Sequence, residues 1–482
     1  MNPHPSSHLL STKATSRRQF LRQSGCGFGT VALHWLLGAD AGLLASNSPY
    51  LPKPAGYIPK AQRIIHICAL GGVSHVDAFD YKPELDRRNG QTYTGNAMKT
   101  HRLKPGRLMG SPYTFKRRGR SGLWMSDLLP HLTECVDDLT FVHSMHTKNS
   151  NHTPATFQMN CGMDRNGYPN FGAWASYGLG SENQNLPAYI VLPDPRQYPA
   201  GGAINWTSGF LPAVHQGVAF QSGPNPIADL NTPSTVNPSA RTSASKLLTR
   251  MNKSFAGQFE GDSTLEARIH AYELAAQMQM SVPELTDLKG ESESTRKLYG
   301  LDSPVCGEFG RNCLLARRLA ERGVRFVQIY NGGGQGSPRV NWDAHEDLTS
   351  NHDKQAAVMD QPVAALLKDL KLRGMLEDTL VLWTTEFGRT PITEGLESRG
   401  RDHHKHAFTI WMAGAGVKKG YAYGATDELG NQVVQHPTEF YDIHATSLHL
   451  MGMDHTQLTY YHNGIARRLT NVHGNVIHSL FN

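Results

Sequence analysis

Six short runs of aliphatic and β-branched residues recur along the chain, at Arg63–Leu70, Leu139–Met145, Ala188–Pro193, Arg325–Asn331, Thr379–Thr385 and Phe408–Ala413. Each is nearly continuous in apolar character rather than alternating, which predicts strands buried on both faces. Between several of them the hydrophobic period becomes helical. Residues 311–322 and 355–373 read as helices, and in the second Met359, Val363, Leu366, Leu367 and Leu370 form one apolar stripe. Gly374 lies close behind it as a stop. Residues 263–280 read as a further amphipathic helix. Strands separated by helices predict the α/β class, with a mostly parallel sheet sandwiched between helices. Sheets of this kind take ligands beyond the carboxyl ends of their strands.

Two stretches break the pattern. Residues 195–245 are rich in Pro, Gly, Ser, Asn and Thr, and read as a long surface excursion over the site rather than a linker. At the front, Ser16-Arg17-Arg18-Gln19-Phe20-Leu21 precedes a weakly apolar stretch, Gly25–Leu44, with Ala45-Ser46 beyond it. This is the pattern of a twin-arginine export signal over residues 1–46, which leaves 47–482 as the mature domain in the periplasm or secreted. The apolar stretch is too short and too glycine-rich to remain as a membrane span.

Charge narrows the partners. The chain carries a formal +6. Lys13, Arg17, Arg18 and Arg22 against Asp40 place +3 of that in residues 1–46, so the remainder holds +3. A chain so nearly balanced has no nucleic-acid footprint. Six cysteines occur, and Cys26 falls inside the signal, leaving an odd five. Cys306 and Cys313 read either as a pair or as two buried thiols. The 24 histidines gather near Asp and Asn, which suits metal ligation.

Five segments concentrate the chemistry at predicted strand ends. Gly71–Asp80 (GGVSHVDAFD) places Asp77 and Asp80 after a glycine turn. Asn151-His152-Thr153-Pro154-Ala155-Thr156 runs on to Cys161-Gly162. Trp342-Asp343-Ala344-His345 follows a strand and a glycine-rich loop, with Asp360 downstream. Thr384–Thr390 (TTEFGRT) carries Glu386 and Arg389, and Gly400–His404 (GRDHH) carries Arg401 and His403. Taken singly, Asp77 and Asp80 read equally as turn residues, Glu386 as a helix cap, and the His403–His406 stretch as a solvated basic loop. Together, carboxylates and imidazoles at several strand ends are what one or two divalent ions (Zn, Mn, Mg or Ca) require. Asp77, Asp80, Asp343, His345, Glu386 and His403 are the expected ligands, with Arg389 and Arg401 expected to clamp an anionic ester. Gly332–Gly334 is not a phosphate loop, because no Lys-Ser/Thr follows it.

In this order the segments, with the C-terminal DIHATSLHLMGMDHTQLTYYHNGIARRLTNVHG, resemble the DUF1501 family of exported, sulfatase-like proteins. The resemblance covers nearly the whole of 47–482. It implies an alkaline phosphatase-like core shared with sulfatases and phosphomutases. Against the arylsulfatase pattern, Asp77 and Asp80 correspond to the first metal-binding aspartates. Glu386-Phe387-Gly388 stands where an Asp-His-Gly is found, and Phe387 cannot serve as the ligand there. Asp343 and His345 look like added ligands of the two-metal phosphatase branch, and His403 like the late histidine. The sulfatase frame Cys-x-Pro-Ser-Arg reads His152-x-Pro154-Ala155-Thr156 here, which excludes formylglycine at this position.

His152 is then a metal ligand with water attacking, a covalent nucleophile, or the mark of a silent site; Thr153 and Thr156 are alternative alcohol nucleophiles. The expectation is a metal-dependent hydrolase of phosphate or sulfate esters acting on an anionic small molecule or polysaccharide outside the cytoplasm. Its rivals are an exported binding or surface protein on the same fold, with no turnover, and a phosphotransferase recognised by transfer to an added alcohol.

Overall fold

The computed structural model describes residues 51–93, 105–221, 226–227, 237–258, 263–334 and 339–481. The twin-arginine segment lies outside them. The strands are β1 (Arg63–Ala69), β2 (Phe115–Arg118), β3 (Leu123–Ser126), β4 (Leu139–Met145), β5 (Tyr189–Leu192), β6 (Val218–Ala219), β7 (Phe326–Asn331), β8 (Thr379–Thr384), β9 (Gly388–Thr393), β10 (Arg401–His404), β11 (Phe408–Ala413) and β12 (Tyr421–Tyr423). Eight form one sheet in the order β12-β4-β11-β8-β1-β7-β5-β6. Its pairings are parallel except where β11 meets β4 and β8. All six predicted runs are strands of this sheet, within one residue at either end. β6 and β12 are too short for a hydrophobic pattern to reveal them.

The helices used below are α1 (His75–Ala78), α2 (His152–Cys161), α3 (Phe171–Leu179), α4 (Pro238–Ala256), α5 (Ser263–Thr286), α6 (Gly307–Glu321), α7 (Leu348–Leu372) and α8 (Phe440–Leu450). β1 shows how the two faces are covered. Ile65, Ile67 and Ala69 join the core built with α6 and α7, while Ile64 and Cys68 join the core built with α3 and α8. Alternation along a strand sends successive side chains to opposite faces, so a strand apolar at every position needs helices on both. The stripe on α7 is fully enclosed, and Leu366→Ala there would cost about 2–5 kcal/mol. α7 begins earlier than its stripe suggests, because the Asp347 side chain caps it by accepting from Ser350 N at 2.9 Å. Gly374 sits just past its end with φ +69°.

Residues 195–245 contribute 3₁₀ turns at Gly202–Trp206 and Ala213–His215, the edge strand β6 and the start of α4. Cys68, Cys135, Cys161, Cys306 and Cys313 are all free and buried. The architecture is α/β. The loops leaving β1, β4, β7 and β8 meet at one end of the sheet, and they carry the segments singled out by sequence.

Candidate metal centre

The loop leaving β1 turns at Gly71, where φ is +113° and a Cβ would overlap the backbone nitrogens of Trp342 and Asp343. Glycine lets the β1 and β7 loops touch. Trp342 N donates to Leu70 O at 2.8 Å and its indole donates to Asn331 Oδ1 at 2.7 Å, which fixes where the next residues, Asp343 and His345, emerge. β4 leads to α2, whose first residue is His152. β8 leads to Glu386. β10 pairs His403 with Arg389 of β9, and strand alternation turns His404 the other way, onto Asn431 O at 2.7 Å.

Three imidazoles converge on one carboxylate oxygen. Asp343 Oδ1 lies 2.9 Å from His345 Nε2, 3.1 Å from His403 Nε2 and 3.4 Å from His152 Nε2. The His345 and His403 Nε2 atoms are 2.9 Å apart. Each ring is anchored through its other nitrogen: His152 Nδ1 to Glu386 Oε1 at 2.7 Å, His403 Nδ1 to Ser150 O at 2.6 Å, and His345 Nδ1 to Glu394. These acceptors call for a hydrogen on Nδ1, which leaves Nε2 of a neutral ring as a lone pair aimed inward. The four residues are buried at 5–8% exposure, and the buried His152 Nε2 has no hydrogen-bond partner.

Lone pairs facing a carboxylate at hydrogen-bond distance repel unless positive charge lies among them. The donor set fits a divalent ion. Atoms about 2.0–2.1 Å from one tetrahedral ion stand about 3.3 Å from each other, close to the separations seen. Outer carboxylate or carbonyl partners on each ligating imidazole are the usual second layer of such sites. Two overlapping groups have metal-holding geometry among the described residues, His152–Asp343–His403 and His345–Asp402–His403.

The local charges follow the same arrangement. Burial would push the Asp343 carboxyl up, but Arg389 and the imidazoles hold it well below the carboxylate range. Burial pushes His403 well below its ordinary value despite Asp343. Burial also disfavours charge on His152, yet Asp343 and Glu386 outweigh it and raise its pKa.

The other expected residues take different places. Asp77 accepts from Arg401 Nε at 2.7 Å and Nη2 at 3.0 Å, and from Ser74 Oγ. Asp80 pairs with Lys82 at 2.9 Å and accepts from Thr426 Oγ1 at 2.5 Å. Neither belongs to a metal-holding group. Glu386 stands behind His152, and its carboxylate also accepts from Gly71 N at 2.8 Å. Arg389 donates to Asp343 Oδ1 at 2.7 Å, to the carbonyl oxygens of Gly72 and Arg401 at 2.9 and 3.0 Å, and to Gly71 O. Arg401 adds Thr390 O at 3.1 Å and Met109 O at 2.9 Å to its bonds with Asp77. Both guanidiniums are completely buried, and their bonds to carbonyl oxygens of neighbouring loops brace those loops. Thr153 is half-buried in the first turn of α2, and Thr156 is buried. Phe387 packs its ring on His152 and His403, with centroids 4.9 and 4.6 Å away.

Sequence reasoning passed over Glu394 and Asp402. Asp402 lay inside the GRDHH segment, where an acid directly before a histidine was the available signal. Its carboxylate accepts from His403 N at 2.8 Å. Glu394 follows β9 with no local motif; its backbone N donates to Gly400 O while Arg401 N donates to Ala344 O, and these two contacts bring it to His345.

A model of the family described as a protein of unknown function (DUF1501) matches residues 61–481. No curated protein matches the sequence. Among solved structures, the chain overlays on a TAB5 alkaline phosphatase mutant with magnesium bound at 9% identity and TM-score 0.35, covering 82% of this chain and 99% of that one. It overlays on the phosphonate monoester hydrolase SpPMH from Silicibacter pomeroyi at 11% identity and TM-score 0.32, with coverages of 67% and 68%. For the PsFucS1 sulfatase from Pseudoalteromonas sp. the values are 12%, 0.30, 83% and 68%. Overlays this loose carry no conclusion about the chemistry of this chain.

Proposed function

The chain belongs to the DUF1501 family, and on that premise we propose that it is a metal-dependent hydrolase of phosphate or sulfate esters acting outside the cytoplasm without formylglycine. The observation that carries this reading is the convergence of three outward-anchored imidazoles on Asp343 Oδ1. His152, Asp343, His345 and His403 would hold the ion, with Asp402 beside them. When bound, a divalent cation supplies a Lewis acid for the ester oxygen and makes water acidic enough to attack near neutral pH.

The chain's own residues do the rest. Glu386, Glu394 and the Ser150 carbonyl set the imidazole tautomers. Arg389 balances the Asp343 charge from the protein side. Phe387 holds two rings in place and keeps water from that flank. His152 occupies the position where the sulfatase frame has its cysteine, and its engagement with Glu386 and Asp343 favours the ligand role over covalent attack. The anion contact falls to Arg339, whose guanidinium is about one-third exposed, 3.7 Å from Asp343 Oδ2 and 2.8 Å from Glu346. Thr153 is the alternative alcohol nucleophile.

The burial of the cluster favours one second reading, a binding or surface protein with the metal but no turnover. Loading the protein with Zn, Mn, Mg or Ca in turn, then offering aryl phosphate and aryl sulfate esters, separates the two. Turnover lost in His403→Ala supports the hydrolase. Full metal occupancy with no turnover of either ester, and none by transfer to an added alcohol, selects the binding protein.

A further inference from the structure

The β2–β3 hairpin carries Lys116, Arg117, Arg118 and Arg120 within five residues. Like charges this close repel, so such a cluster needs counter-charge from the protein or from a partner. Lys116, Arg117 and Arg120 are exposed. A second basic turn, distant in sequence, meets the tip of the hairpin. A Cβ on Gly420 would overlap the Ser121 side chain, so the two turns touch, and Lys418 and Lys419 directly precede that glycine.

Among the described residues, little counter-charge lies there. Asp137 accepts from the backbone nitrogens of Arg120 and Ser121 at 2.9 and 2.8 Å and lies 3.9 Å from Arg120 Nε. Glu377 lies 3.3 Å from Lys419, and Asp127 is taken up by Thr114 N at 2.9 Å. Trp124 lies directly across from Arg117 and is 36% exposed. The Arg117 guanidinium stands 5.2 Å from its ring and Tyr81 backs it at 4.6 Å.

The tip of this patch is remote from the metal centre. Residues 418–420 join β11 to β12 where Ala413 pairs with Leu139 and Tyr421 with Thr140. That is the end at which β1, β4 and β8 begin, whereas the imidazoles gather where they finish.

The geometry points to a docking surface for an anionic polysaccharide, a sulfated or carboxylated chain. Its acid groups pair with Lys116, Arg117, Arg120 and Lys418, and one sugar packs against the exposed part of Trp124. Cations around a partly exposed aromatic ring suit such a chain, because a pyranose presents C–H bonds to the open part of the ring while its anions reach the arginines. Duplex DNA stacks its base faces inside and leaves Trp124 nothing to cover.

The test is calorimetric titration of the full chain with a heparin-derived hexasaccharide, at low and at physiological salt. The expected result is binding that weakens with salt. Arg117→Glu with Arg120→Glu lowers affinity about tenfold or more, and Lys418→Glu with Lys419→Glu does the same should the hairpin variant not fold. Trp124→Ala weakens binding about threefold at physiological salt. Lys246→Glu with Arg250→Glu, the same charge change on α4, leaves it unchanged, and metal content is the same in all variants. Equal weakening by the α4 variant, no effect of Trp124→Ala, or no binding at low salt would each overturn the proposal. So would tighter binding of a duplex oligonucleotide.

Discussion

Two buried aspartate–arginine assemblies lie within one loop of each other and have opposite character. Asp77 and Arg401 are matched: two oxygens meet two nitrogens of a single cation, and backbone carbonyls take the remaining contacts. Asp343 and Arg389 also pair, at 2.7 Å, but three imidazole nitrogens crowd the same oxygen. A satisfied pair holds loops together. An over-supplied one, with its rings anchored from behind, has the donor set that a divalent ion would fit. Ionisable residues of the same types are thus closed by one partner in one place and gathered as clustered donors in the other, and their hydrogen-bond partners tell the two apart.

Breaking the matched pair gives the largest effect. Asp77→Ala leaves the Arg401 charge buried and should cost about 3–5 kcal/mol in chemical denaturation. Metal bound per folded molecule should stay at the wild-type level, and loss of the ion with unchanged stability would reverse the roles assigned here.

A third carboxylate sharpens the contrast. Asp360 on α7 is buried, and among the described residues its carboxylate accepts from two backbone nitrogens, His131 N and Leu132 N, both at 2.8 Å, and pairs with no cation. Burial pushes its carboxyl up to about 6. Between pH 4 and that value the folded state binds the extra proton, so Asp360 lowers stability as pH rises through the window. The span is worth about 3 kcal/mol. Urea denaturation of wild type and Asp360→Asn from about pH 4 to pH 7 should show this opposing component in the wild type alone. Identical slopes would contradict it.

The smallest effect tests the layer behind the rings. Glu386→Gln keeps the shape but weakens the acceptor on His152, and should lower metal affinity about 10–100-fold, or about 1.4–2.7 kcal/mol, by competition with a chelating dye. Unchanged affinity would mean that His152 is oriented by other contacts, such as the Phe387 ring.

The six central strands were legible because burial on both faces writes a continuous apolar run. The α7 stripe was legible through its period. The gathering of the polar segments at one end of the sheet followed from strand-end placement, and the structure brings His152, Asp343, His345 and His403 together there. The partners were not legible. Nothing local distinguishes Asp77, closed by an arginine more than three hundred residues away, from Asp343. Glu386 lies in the loop its sequence predicts, with a carboxylate that accepts from His152 and from Gly71 N. Glu394 has no motif at all. Pairings across the sheet are set by topology, which a linear pattern does not encode.

The central claim is that Asp343 and its imidazoles are built to hold a divalent ion. Elemental analysis of the full chain, purified without chelators, should find one or two metals per chain in the wild type and in Asp77→Asn, and a loss in His345→Ala. Metal absent from the wild type even after loading, or retained in full by His345→Ala, would contradict it.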